Sequence, residues 1–122
     1  MTPARFLQDW LEGWNGHDLD VIMRHYAETA TFQSPSVLVL RPDSDGILRG
    51  RAAIRELFGV ALARFPKLRF ELEELIERPY GLLVVYRKLG VFAERPGLTV
   101  EAFELANGLV TRTGARRRSR AA

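Results

Sequence analysis

The hydrophobic period of this 122-residue chain changes once, and that change constrains its architecture more than any motif does. Before Pro66 the apolar residues recur at helical spacing: Phe6, Leu7, Trp10, Leu11 and Trp14 fall at i, i+1, i+4, i+5 and i+8. Beyond it they alternate, with Leu68, Phe70 and Leu72 set against Arg69, Glu71 and Glu73. Helices followed by strands imply an α+β layout, with the helices packed on one face of a curved antiparallel sheet. The space between the concave face and a long first helix then becomes a pocket.

Punctuation sets the expected boundaries. Thr2-Pro3 starts the first helix as cap and first-turn proline. Asn15-Gly16 ends it, since both residues tolerate a left-handed backbone. Asp18 caps a second helix whose buried face is Leu19, Ile22, Met23 and Tyr26. Ala30–Gln33 reads as a short strand stopped by Ser34-Pro35 and resumed after a bulge by Val37–Leu40. A third helix runs from Gly50-Arg51 to Phe65-Pro66, burying Ile54, Leu57, Phe58, Ala61 and Leu62. Strands follow from Leu68, over Leu82–Leu89 and Leu98–Leu105, and from Leu109 to about Arg118. Asn107-Gly108 supplies a hairpin turn before the last of them.

Composition excludes several classes. With no cysteine, there is no disulfide, no Cys-ligated zinc and no Cys nucleophile. No apolar run approaches the ~18 residues of a membrane span, and Met1–Phe6 lacks the apolar stretch of a signal peptide. A soluble cytoplasmic protein is expected. The net charge of +3 is unevenly spread: after Glu104 there is no acid but five arginines, Arg112, Arg116, Arg117, Arg118 and Arg120. The division expected is a single domain over 1–115 and a basic tail over 116–122. No aromatic residue is interleaved with these arginines to stack on bases, so nucleic acid is not an expected partner. Two isolated histidines make no metal spacing, and no phosphate-binding glycine loop or Ser/His/Asp set occurs, so no metal or cofactor is expected.

Several short stretches resemble a known family. They are Trp14-Asn15-Gly16-His17-Asp18-Leu19-Asp20, Tyr26-Ala27-Glu28-Thr29-Ala30-Thr31-Phe32, Ser34-Pro35, Gly50-Arg51-Ala52-Ala53-Ile54-Arg55, Val100-Glu101-Ala102-Phe103-Glu104 and Asn107-Gly108-Leu109-Val110. Their order and coverage resemble the SnoaL-like branch of the nuclear transport factor 2-like superfamily, with ketosteroid isomerase and the polyketide cyclases. The resemblance implies a cone-shaped curved antiparallel sheet wrapped around three N-terminal helices, the cystatin-like α+β barrel. It also implies a homodimer through the convex sheet face. The apolar strand 82–89 agrees, since both its faces need cover.

The same resemblance tests particular chemistries. Steroid isomerisation needs an aspartate base before the proline after the first strand, and an oxyanion hole of a tyrosine and a protonated acid. Ser34, Trp10 and Glu101 fall at those positions. A serine hydroxyl without a base of its own cannot abstract a carbon-bound proton at neutral pH, so steroid isomerisation is not expected. The Asp–Arg–Asp set of the limonene-type epoxide hydrolases has no counterpart on the expected strands. Cyclase-type proton transfer by an acidic pocket residue remains compatible, through Glu101, with His17 or His25 as lesser candidates.

Strand parity places Glu101, Phe103 and Leu105 on one face, with Thr113, Ala115 and Arg117 continuing it across the hairpin. Two outcomes are open for Glu101. Desolvation among apolar neighbours raises its pKa, whereas pairing with Arg117 lowers it. Trp10, Trp14, Tyr26, Phe58, Val84, Tyr86 and Phe103 are the expected apolar lining, with Ser34 and Arg117 as polar orienting groups. Two readings follow. One is a metal-free isomerase, cyclase or lyase acting on a moderately apolar small molecule through Glu101. The other is a non-catalytic ligand-binding or dimerisation module.

Overall fold

The computed structural model describes residues 3–91 and 98–118, with side chains as far as residue 116. Four helices and six strands follow one another as α1 (Pro3–Asn15), α2 (Leu19–Met23), β1 (Tyr26–Gln33), α3 (Pro35–Leu40), β2 (Ile47–Arg49), α4 (Arg51–Arg64), β3 (Arg69–Arg78), β4 (Gly81–Leu89), β5 (Leu98–Ala106) and β6 (Leu109–Arg118). The strands form one curved sheet in the order β2-β1-β6-β5-β4-β3, not closed into a barrel. The α+β expectation holds. The sheet is mixed, however, because β1 runs parallel to β6 while every other pair is antiparallel.

Helix α1 buries Phe6, Leu7, Trp10 and Trp14 as its spacing requires. Its end differs from the expectation. Neither Asn15 nor Gly16 is the left-handed residue; His17 is, at φ 53°. The Asp18 N–H reaches back to the Gly13 carbonyl at 2.8 Å and closes a Schellman-type cap. Thr2, the expected start cap, lies outside the described residues. Asp18 does cap α2, accepting from the Val21 N–H. A Cβ on Gly13 would stand 2.8 Å from the Ile22 side chain, so α2 approaches α1 this closely only because position 13 is glycine.

Two segments part from the expectations more widely. Tyr26 belongs to β1 and not to the face of α2, which ends at Met23. Val37–Leu40 forms α3 and not a strand. The Ser34 hydroxyl accepts from the Ser36 N–H, and Pro35 occupies the first helical turn with φ already set. That local start signal overrides the strand preference of the valines. β2, only three residues long, carries too little period to be read in advance.

Asn107-Gly108 adopts positive φ at both residues, 54° and 77°, as the tight β5–β6 turn demands. The sheet's free edge at β3 is clasped by α1. The Asn15 side-chain amide donates to the Phe70 carbonyl at 3.0 Å, and its oxygen accepts from the Phe70 N–H at 2.7 Å. His17 Nε2 lies 2.8 Å from the Leu68 carbonyl; a carbonyl only accepts, so Nε2 carries the proton.

Asn15→Ala strips two main-chain groups of β3 of their partners. It is expected to lower stability by about 1–3 kcal/mol, read as an earlier midpoint in urea at unchanged slope. A variant as stable as the wild type would show that this clasp is not part of the fold's support.

Candidate functional site

Trp10 is the pivot of the interior. Its ring centroid lies 5.1 Å from Phe70, 5.1 Å from Tyr86 and 5.5 Å from Phe103. Trp14 meets Phe70 at 5.0 Å and Phe58 at 4.9 Å. Rings at these separations gain beyond area burial and hold α1 over the inner face of β3, β4 and β5. Between this aromatic roof, α4 and the inner sheet face lies a cavity of about 360 Å³. Its wall is mostly apolar, with Ser34, Ser36, Arg64, Lys88, Tyr86 and Glu101 as the polar residues.

Glu101 is 3% exposed, and its position follows from register. It pairs with Val84 on β4 and with Ala115 on β6. The next residues along on the same face are Tyr86 and Thr113, one on each flanking strand. Each donates one hydroxyl: Tyr86 to Oε1 at 2.8 Å and Thr113 to Oε2 at 2.7 Å. Burial pushes the Glu101 pKa up, while the Thr113 and Tyr86 hydrogen bonds and the Lys88 charge pull it down without cancelling the rise.

Among the described residues, burial is the largest influence on this carboxyl. Its described partners are hydroxyls, with no arginine among them. Arg117 is paired through its backbone with Thr99, two residues from Glu101 on the same face, but its side chain lies outside the described residues. Burial also raises the Tyr86 pKa, helped by the Glu101 charge, so this phenol stays protonated and donates.

Trp10, Trp14, Ser34, Phe58, Tyr86 and Glu101 converge on the cavity wall. Three residues expected there do not reach it. Val84 is fully buried opposite Glu101, beneath the wall. Phe103 turns its ring edge to Phe6 at 5.0 Å and fills the core at the foot of α1. Tyr26 packs against Phe58 at 5.9 Å, and its buried hydroxyl closes no hydrogen bond with another described residue. Burial, and then the Glu101 charge, raise its pKa, with the Trp10 indole opposing. The Ser34 hydroxyl is engaged locally, 2.9 Å from the Ser36 hydroxyl as well as capping α3.

His17 and His25 stand away from the cavity. His25 donates from Nε2 to Asp9 at 2.7 Å in a buried pair beneath Phe6, and this hydrogen bond lowers the Asp9 pKa. Among the described residues no group of three His, Cys, Asp or Glu side chains is placed to hold a metal ion. No described helix is long and apolar enough to cross a membrane.

Sequence reasoning missed Phe70 and Lys88 as lining residues. Parity was the available signal, since Phe70 lies opposite Lys88 across β3–β4 and Lys88 is two residues from Tyr86. The apolar reading of strand 82–89 concealed it.

The pattern that the SnoaL-like domain family describes matches residues 7–114. This chain belongs to that family. Among curated proteins none matches in sequence. The SnoaL-like fold recurs in solved structures. A SnoaL-like protein of unknown function from Burkholderia thailandensis is 27% identical, with a TM-score of 0.85 over 96% of this chain and 94% of that one. TerC, co-crystallised with polyporic acid, is 18% identical, with a TM-score of 0.77 over 96% and 92%. A loop-truncated IdmH is 15% identical, with a TM-score of 0.78 over 95% and 92%.

The raised pKa of Glu101 makes a signed prediction for this SnoaL-like chain. Its folded state holds the proton to higher pH than the unfolded chain does. The group's contribution therefore becomes less favourable as pH rises from the ordinary 4.5 through the raised value. Glu101→Gln removes that penalty. The stability difference should move in the variant's favour across this window, by about 1.4 kcal/mol for each unit of displacement. Urea unfolding of both proteins across the range checks it; a difference independent of pH would contradict the raised value.

Proposed function

We propose that this SnoaL-like protein is a metal-free proton-transfer enzyme of the isomerase, cyclase or lyase type, acting on a moderately apolar small molecule through Glu101. The observation that carries the reading is the Glu101 carboxyl at the wall of an aromatic cavity, oriented on both oxygens by Tyr86 and Thr113. A desolvated carboxylate is a stronger base than one in water, and its pKa is brought toward working pH. Trp10, Trp14 and Phe58 exclude water and supply flat apolar walls. That TerC has been co-crystallised with polyporic acid on the same fold supports a small-molecule ligand. Steroid isomerisation is not part of the proposal, because Ser34 stands where its base is needed and caps α3.

The substrate need not be known to test this. In 5-nitrobenzisoxazole the C3–H proton passes to a base while the N–O bond breaks, leaving a coloured cyanophenolate. The wild type is expected to accelerate this elimination above free acetate, with a rate rising as Glu101 ionises. Glu101→Gln should lose about 10²–10⁴-fold, while quenching of Trp10 and Trp14 by the bound compound is retained. A variant that eliminates as fast as the wild type, or a wild type no faster than acetate, would leave a ligand holder and not a catalyst.

We also propose a homodimer through the convex sheet face, where Leu83, Val100 and Ala102 lie beside Leu38 of α3 in a shallow apolar groove. Leu38 is 49% exposed, and burying such a surface is favourable. Sedimentation at micromolar concentration should give twice the chain mass, and Ala102→Glu should return monomers. A wild-type monomer would overturn the proposal.

A further inference from the structure

Arg87 and Lys88 are consecutive on β4 and point to opposite faces. The outward one is paired, with the Arg87 guanidinium 3.1 Å from Glu73. Among the described residues the inward one is not. Lys88 is half-buried at the cavity wall, its ammonium 5.8 Å from the centre of the Phe70 ring. The described carboxylates in ion pairs are Asp9, Asp20, Asp45, Glu56 and Glu73, each with a cation other than Lys88. Glu101 is near enough for the two charges to act on each other, yet it forms no ion pair with Lys88 and spends both oxygens on hydroxyls. A half-buried ammonium with no counter-ion among the described residues is costly.

We infer that Lys88 is an anion-binding residue of the cavity, and that the ligand is an apolar ring system carrying an acidic oxygen, a carboxylate or a phenolate, which pairs with the Lys88 ammonium. The rings lie between Trp10, Trp14 and Phe58 while the acidic oxygen faces Phe70 and Lys88. The burial that lowers the Lys88 pKa also makes the ammonium more receptive to an anion, because an incoming negative charge restores what desolvation removed. Arg64, also on the cavity wall, adds positive field for an approaching acid. The inference rests on the cavity being a ligand site, and adds a charge requirement that Glu101 alone does not supply.

Calorimetric titration with 2-naphthoate and with its neutral analogue 2-naphthamide tests it. Wild-type protein is expected to bind the acid at least tenfold more tightly than the amide. Lys88→Met keeps the chain's length and apolar stem. It should weaken 2-naphthoate at least tenfold and leave 2-naphthamide within twofold. Lys88→Arg should keep the preference for the acid. Equal binding of acid and amide by the wild type, or an unchanged preference in Lys88→Met, would overturn the assignment of Lys88 while leaving the Glu101 reading intact. Failure of both naphthalenes to bind the wild type would remove the ligand site itself, and the Lys88 assignment with it.

Discussion

Helix α1 is held to the sheet over β3, β4 and β5, and the geometry of the interior follows from that contact. Trp10 lies against Phe70, Tyr86 and Phe103, one ring from each of those strands. The Asn15 amide and the His17 ring bind the start of β3 and the residue before it through main-chain groups that no further strand satisfies. An open sheet edge offers unpaired donors and acceptors; here two polar side chains at the end of α1 occupy them. The sheet meanwhile continues to β6, β1 and β2. A single helix cannot follow its inner face across that curvature, so α4 covers the far side through Phe58, which packs on Phe32 and Tyr26. The cavity is the room left between the two helices and the sheet.

Polar chemistry enters that room only where strand register allows it. Glu101, Tyr86 and Thr113 sit on three adjacent strands, so the carboxyl is oriented by rigid elements and not by loops. Positions supported in this way hold catalytic geometry better than loop positions do. The arrangement also fixes the competition that sets the charge state. Two donors are too few to replace the hydration of a carboxylate, and Lys88 stands off without closing an ion pair. A carboxyl under that tension is useful to a proton-transfer site and of little use as a structural staple. The buried Asp9–His25 pair shows the contrast: there the partner's hydrogen bond wins and the carboxyl pKa falls.

Much of this was legible in residue patterns, and the failures have physical reasons. The stripe Phe6–Trp14 and the alternation around Phe70 and Glu101 survive because each repeats its period over two or more turns of helix or pairs of strand residues. Asn107-Gly108 is legible because few other residues accept two positive φ values in succession. Val37–Leu40 misleads because its valines favour a strand, while a serine–proline start of only two residues decides for a helix. Tyr26 misleads because it follows Met23 at helical spacing, yet β1 has already begun there. Phe103, Val84 and Tyr26 show the limit of parity, which assigns a face but not a depth. All three are inward, and none reaches the cavity wall.

Local chemistry in the chain thus determined the helical and extended segments, the tight turn, the inward face of β5 and the presence of a lone acid on it. Tertiary structure alone decided that the acid's neighbours are two hydroxyls and not a described arginine, that Lys88 shares the same hollow, and that β1 runs parallel to β6. The division has one cause. Period and capping act over a few neighbouring residues. The environment of a buried charge is instead set by pairings between strands 12 to 15 residues apart, and by a helix at the other end of the chain.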